Sequence, residues 1–157
     1  MAIKSEYNKI QPYSTKDGSQ IKELMHPELH GNQRQSLAEA CIPIGSTTLL
    51  HTHDKSEELY HIKSGEGLMT LGQEKLEVTT GDTICIPPGV PHRIQNTGKI
   101  KLKILCCCSP PYSHNDTKLL VEQESKRKWW TLKLQNGNNT AQFHKKIDHI
   151  ERFSVFR

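Results

Sequence analysis

Gly45-Ser-Thr-Thr-Leu-Leu-His51-Thr-His53-Asp-Lys-Ser-Glu-Glu58-Leu-Tyr-His-Ile-Lys-Ser-Gly65 is the stretch whose reading decides the fold. His51 and His53 stand two apart in an apolar, β-branched run, Thr47 to His53, that reads as a strand. Alternate strand residues face the same way, so both imidazoles project to one side. Asp54-Lys55-Ser56 is polar and turn-prone. The chain therefore reverses there and enters the next strand with Glu58, Tyr60 and Ile62 on a shared face. A second stretch, Gly81 to Asn96, contributes His92 behind the turn Pro87-Pro-Gly-Val-Pro91. The prolines fix φ in that turn and Gly89 permits a positive one. Three imidazoles and one carboxylate make a ligand set for one divalent transition metal. A lone His-x-His is more often a surface pair or a hydrogen-bonded filler. Two segments framed by glycine and proline, with donors on three strands, favour the metal reading. Such donors converge only if the sheet curls into a barrel or a two-sheet sandwich.

The surrounding chain repeats strand signals at short intervals. The spacing predicts strands at Ser36–Ile42, Thr47–His53, Glu58–Lys63, Gly67–Leu71, Glu74–Val78, Thr83–Ile86, His92–Asn96 and Lys101–Cys108. Gly72-Gln73 suits a tight hairpin between two of them. With few helical stripes and no βαβ rhythm, the chain reads as all-β. Leu49, Ile62, Met69, Ile84, Ile94 and Ile104 are expected to line either the pocket or the core. His61 alternates away from Glu58, and Arg93 and Gln95 alternate away from His92 toward solvent.

The two segments resemble the two motifs of the cupin superfamily at all ten fixed positions: Gly45, His51, His53, Glu58 and Gly65, then Gly81, Pro87, Gly89, His92 and Asn96. The likeness spans roughly Ser36 to Pro111 and, more loosely, the arm before it. It is nearest to small single-domain bacterial cupins (the cupin type-2 domain) that end in a Cys-Cys-Ser-Pro-Pro-Tyr-Ser-His type segment. The resemblance implies a jelly-roll barrel, also called a double-stranded β-helix, with a metal in its mouth. It further implies His51, His53, Glu58 and His92 as the ligands. The expected organisation is an N-terminal arm over 1–35, the cupin barrel over 36–112, and a C-terminal helix and basic tail over 113–157.

A length of 157 residues suits one domain with a tail, and 34% hydrophobic with 6% aromatic residues is lean for a well-packed one. Met1-Ala-Ile-Lys-Ser-Glu lacks a signal-peptide pattern, and no apolar run reaches membrane-spanning length. The expectation is a cytoplasmic protein with no membrane partner. None of the five cysteines forms a C-x-x-C. Cys106 and Cys108 share one strand face and Cys107 takes the other, and the favoured role is that of small buried apolar residues. Whether Cys106 or Cys108 reaches the barrel interior is left open.

Ile21 to Met25 reads as a strand broken by His26-Pro27. An arm of this kind covers a sheet edge or exchanges with a second subunit, so a homodimer is expected. His26 and His30 have helical metal-pair spacing, but Pro27 and Gly31 argue against that helix. Ser113-x-x-Asp116 reads as a helix start before Lys118. Residues 121–157 hold eight Lys/Arg and four Asp/Glu, so they carry the whole net charge of +4. Trp129-Trp130 beside Lys126-Arg127-Lys128 suggests nucleic-acid contact, but a solvated appendage is the favoured reading.

Mixed nitrogen and oxygen ligation without thiolate suits Mn(II), Fe(II), Co(II), Ni(II) or Zn(II). Manganese or iron is favoured, because a hard carboxylate with open water positions suits both. An octahedral ion keeps two positions free for a bidentate, oxygen-rich small molecule or for dioxygen. The favoured function is a metal-dependent enzyme of dioxygenase, decarboxylase, isomerase or lyase type. The alternatives are a non-catalytic binding or sensing module, or a purely structural metal. Tyr60 is the one candidate acid or base beside the ligands, and it either hydrogen-bonds the site or packs.

Overall fold

A computed structural model describes residues 2–120. Strands β1 (Tyr13–Ser14), β2 (Gln20–Met25) and β3 (Ser36–Ile42) flank a single helical turn, α1 (Pro27–His30). Then follow β4 (His51–His53), β5 (Glu57–Ser64), β6 (Glu66–Leu71), β7 (Glu74–Thr79), β8 (Thr83–Ile86), β9 (His92–Asn96), β10 (Leu102–Ser109) and β11 (Thr117–Leu119). They form two antiparallel sheets, one ordered β1-β2-β3-β10-β5-β8 and the other β11-β4-β9-β6-β7. The two sheets make a jelly-roll barrel.

Alternation of inward and outward side chains builds the core. In β5, Glu58, Tyr60 and Ile62 point inward while Leu59, His61 and Lys63 point out. Ile62, Met69, Ile94, Leu102 and Ile104 meet between the sheets with almost no exposure. Burial of each such side chain contributes about 1.5–3 kcal/mol. Two residues fix the frame around the second motif. The Asn96 amide donates to the carbonyls of Ile42 and Ile100, and its oxygen accepts from the Gly98 N–H. A Cβ on Gly67 would stand 2.6 Å from the Gln95 carbonyl oxygen, so only glycine lets β6 approach β9 so closely.

Several expectations change in the structure. The strand expected over Thr47–His53 shortens to His51–His53, with Thr47 making only an isolated bridge to Gln95. Thr48 replaces part of the ladder, since its hydroxyl accepts from the Ile94 N–H. The Leu49 N–H bonds to the Asp17 carbonyl, and the Leu49 side chain is 53% exposed rather than in the pocket or core. Glu58 does not come from the strand beside the His-x-His pair. The Asp54–Ser56 turn carries the chain across to the other sheet, so Glu58 faces the histidines from the opposite wall. Arg93 and Gln95 are half-buried rather than open to solvent.

Ser113 to Asp116 form a turn, not the opening of a helix, and lead into β11 beside β4. The Asp116 carboxylate is spent on the N–H groups of Lys55 and Ser56, where it holds the turn between the two sheets. A helical turn does form between His26 and Gly31, with Pro27 in the first turn and Gly31 ending it at φ 83°. His26 caps it, accepting from the Glu28 N–H, and the other His26 ring nitrogen meets the Tyr112 carbonyl. His30 accepts from the His26 N–H. Both imidazoles are thus engaged in hydrogen bonds of their own. The arm pairs with its own chain, β2 lying along β3. Trp129, Trp130 and the rest of the basic tail lie outside the described residues.

Candidate metal centre

The centre is assembled from both sheets. β4 pairs with β9 so that His51 stands directly opposite His92, their ring centroids 4.1 Å apart. His53, two residues along β4, is 5.2 Å from His51 and 5.4 Å from His92 by the same measure. From the facing sheet, Glu58 Oε2 comes within 3.1 Å of His53 Nε2 and 3.4 Å of His92 Nε2. All four residues are buried, and one donor atom from each lies within 4.8 Å of the others. The turn before β9 is tied down by the Gly89 N–H, which donates to the His53 carbonyl at 2.7 Å with Gly89 at φ 77°.

The hydrogen bonds set the ring tautomers. His51 Nδ1 lies 2.9 Å from the Leu49 carbonyl and His92 Nδ1 3.0 Å from that of Val90. A carbonyl only accepts, so each Nδ1 carries the proton and each Nε2 keeps its lone pair. His53 Nδ1 lies 3.2 Å from Thr117 Oγ1, and that hydroxyl donates to the Ser113 carbonyl at 2.9 Å. With its proton spent there, Thr117 accepts from His53 Nδ1–H. Three Nε2 lone pairs and a carboxylate oxygen thus face one another.

Such an arrangement repels itself unless a cation or protons intervene. Consistent with this, Glu58 Oε2 and His92 Nε2 are buried without a hydrogen-bond partner. Donors roughly 2.1 Å from a shared ion lie ~3.0 Å apart at right angles and ~3.4 Å apart at tetrahedral angles. The Glu58–His53 and Glu58–His92 separations match, and with all four donors within 4.8 Å of one another the set suits a divalent metal ion. Burial opposes ionisation of Glu58, but His53 and His92, when their Nε2 atoms carry the protons that a metal ion would replace, outweigh this and hold the carboxyl down at about 2. Burial, reinforced by His92, keeps His51 below the usual imidazole value and therefore neutral.

The surroundings answer the question left open for the cysteines. Cys106 and Cys108 both turn inward, and Cys108 Sγ donates to the second Glu58 oxygen at 3.4 Å. Burial, with the Glu58 charge, pushes both thiols far up, so they remain protonated. A cavity of about 40 Å³ adjoins the cluster, bordered by Tyr60, Cys106, Cys108 and Tyr112 among others. Small side chains on β3 (Ser36, Ala38 and Ala40) leave this space open. Tyr60 packs edge-on against His92, ring centroids 6.0 Å apart. His61 faces outward onto Thr83, as its alternation predicts.

Sequence reasoning missed Thr117, Tyr112 and the cavity-lining carboxyls Asp17 and Glu23. Thr117 arrives through a strand pairing that no local pattern announces. Glu23 had a weak signal: a charge at an inward position of a predicted strand.

A cupin domain model matches residues 38–108. This chain belongs to the cupin superfamily. The cupin is 62% identical over 118 residues to an uncharacterised protein of Methanocaldococcus jannaschii, covering 75% of this chain and 94% of that one. It is 33% identical over 84 residues to the oxalate-binding protein of Thermotoga maritima, covering 54% and 65% respectively. Among solved structures, a predicted oxalate decarboxylase of Thermotoga maritima superposes with a TM-score of 0.60 at 25% identity, over 70% of this chain and 99% of that one. The nucleoside dehydratase Pac13 superposes with a TM-score of 0.62 over 76% and 92%. At 15% identity the cupin shares only its fold with that enzyme.

Proposed function

We propose that His51, His53, Glu58 and His92 hold one divalent transition metal, manganese or iron by preference. In this reading the cupin is a metal-dependent enzyme acting on a small oxygen-rich molecule. The observation that carries it is the set of converging, unprotonated donors whose outer ring nitrogens are already anchored. Hydrogen bonds that fix the far nitrogen of a metal-ligating histidine are a recurring feature of metal sites. A bound divalent cation would supply Lewis-acid polarisation of a substrate oxygen. The chain's own residues do the rest. Glu58 lowers the net charge of the site, Cys108 fixes the outer carboxylate oxygen, and Tyr60 and Tyr112 wall the cavity. A space of about 40 Å³ beside the cluster suits a small ligand.

The name of the Thermotoga maritima relative, an oxalate-binding protein, favours a second reading in which the cupin binds its ligand without turnover. The two separate in one experiment. Metal-loaded and chelator-treated protein are mixed with small hydroxy, keto and dicarboxylic acids. Binding is followed by thermal shift and turnover by NMR. Metal-dependent turnover supports the enzyme, and metal-dependent binding alone supports the binding module. A chelator-treated protein that behaves like the loaded one in every mixture refutes both.

The homodimer reading has a candidate surface. Met25, Leu37, Cys107, Leu59 and Cys85 are cross-strand neighbours in one outward row over β2, β3, β10, β5 and β8. Leu59 is 39% exposed within it. A cytoplasmic location accords with five free cysteines, a pattern of reducing compartments. Among the described residues no helix is long and apolar enough to cross a membrane.

A further inference from the structure

Glu23 is a buried carboxyl that neither the fold nor the metal centre uses in full. It is 6% exposed on β2 and lines the same cavity as the cluster. Its Oε2 accepts from the Tyr13 hydroxyl at 3.0 Å, while its Oε1 is buried with no partner at all. Asp17 lines the cavity too, but both of its oxygens are occupied: Oδ1 by Thr15 and the Ser19 N–H, Oδ2 by the Ser19 hydroxyl. Asp17 therefore closes a turn, and Glu23 is left with an open acceptor.

The register places Glu23 on the inward row that leads to the cluster, although Glu23 also borders a second cavity beside Lys4, Lys9 and His30. Glu23 pairs with Ala38, Ala38 with Cys106, and Cys106 with Tyr60, which sits two residues from Glu58. Between Glu23 and Tyr60 this inward row holds only the small side chains Ala38 and Cys106. An unpaired buried carboxyl oxygen costs about 1–3 kcal/mol or more, so a fold that keeps one at the edge of a cavity is primed for a partner.

We propose that Glu23 is the second anchor of this site, its free Oε1 accepting a hydrogen bond from a hydroxyl of a small ligand whose other oxygens sit at the metal cluster. This rests on the reading of the cluster as a metal site. It also selects a ligand class. The described residues bordering the cavity include three carboxyls (Asp17, Glu23 and Glu58) and no lysine or arginine. A dicarboxylate offers only acceptors and negative charge to that wall. A neutral hydroxy-carbonyl compound or polyol chelates through two oxygens and has a hydroxyl left to donate. Burial raises the Glu23 carboxyl above its ordinary value, against the opposing effects of Tyr13, His26 and His30. A hydroxyl can serve either protonation state, because it both donates and accepts.

The test compares wild type, Glu23→Gln and Glu23→Met, each loaded with manganese, by calorimetric titration with dihydroxyacetone and with oxalate. Manganese uptake and melting temperature are recorded for every sample. The expected result is equal uptake in all three and loss of dihydroxyacetone affinity by roughly tenfold or more in Glu23→Met. Oxalate affinity should stay unchanged or rise, and Glu23→Gln, which keeps an oxygen for the Tyr13 hydroxyl, should hold the wild-type melting temperature. Glu23→Gln keeps an acceptor but no charge and should fall between the two. Dihydroxyacetone affinity within about twofold of wild type in both variants overturns the proposal, as does wild type that takes up manganese but does not bind dihydroxyacetone. A lowered melting temperature in both variants assigns Glu23 a structural role and overturns it equally. Wild type that takes up no manganese brings down the metal reading and this inference with it.

Discussion

Replacing Thr117 with valine removes one hydroxyl and keeps the shape, and it acts on the metal ligands through His53. The hydroxyl accepts from His53 Nδ1–H at 3.2 Å and donates to the Ser113 carbonyl at 2.9 Å. In the valine variant His53 Nδ1–H is buried without an acceptor, a penalty of about 1–3 kcal/mol. The ring escapes it by moving its proton to Nε2, which removes the lone pair aimed at the cluster. Either way metal binding weakens, by about 10- to 100-fold, the usual effect of losing such an outer partner. The matching bonds of His51 and His92 run to backbone carbonyls, so Thr117 is the one partner among the three that a side-chain substitution removes. Competition titration against a chromophoric chelator measures the change, with Thr117→Ser as the control that restores the hydroxyl. Valine and serine variants that both bind metal within about twofold of wild type would refute the tautomer argument.

Three further outcomes follow from the same structure. Asn96→Ala strips partners from the carbonyls of Ile42 and Ile100 and from the Gly98 N–H, and should lower stability by about 3 kcal/mol in denaturant unfolding. Metal retention should hold near neutral pH and fall as the solution is acidified, because protons compete for the imidazoles, and the His53 and His92 protons so gained keep Glu58 low, at about 2. Burial depresses His51, so it is protonated at lower pH than an ordinary histidine, and metal content against pH checks the order of events. Leu59→Lys places a charge in the outward apolar row and should convert a dimer to a monomer in light scattering without changing metal content.

Much of the fold was legible because alternation is a local property. The inward positions of β5, β9 and β10 follow from counting by two once a single ligand is placed, and Gly72-Gln73 closes the hairpin between Leu71 and Glu74 as expected. The features that were not legible depend on distant chain. Leu49 turns outward because its N–H bonds to Asp17, and Ser113–Asp116 fails to start a helix because Asp116 is needed at Lys55 and Ser56. Glu58 could be named as a ligand candidate, but not placed on the opposite sheet, since a turn sequence does not say whether the chain returns beside itself or crosses over. Glu23 and Thr117 enter through β2 and β11, which carry no motif.

Elemental analysis of natively purified protein bears most directly on the central claim. One manganese or iron per chain in the wild type, falling to near zero in Glu58→Gln with the fold intact, is the predicted result. Wild-type protein that carries no transition metal and binds none on titration with manganese, iron or zinc would contradict it.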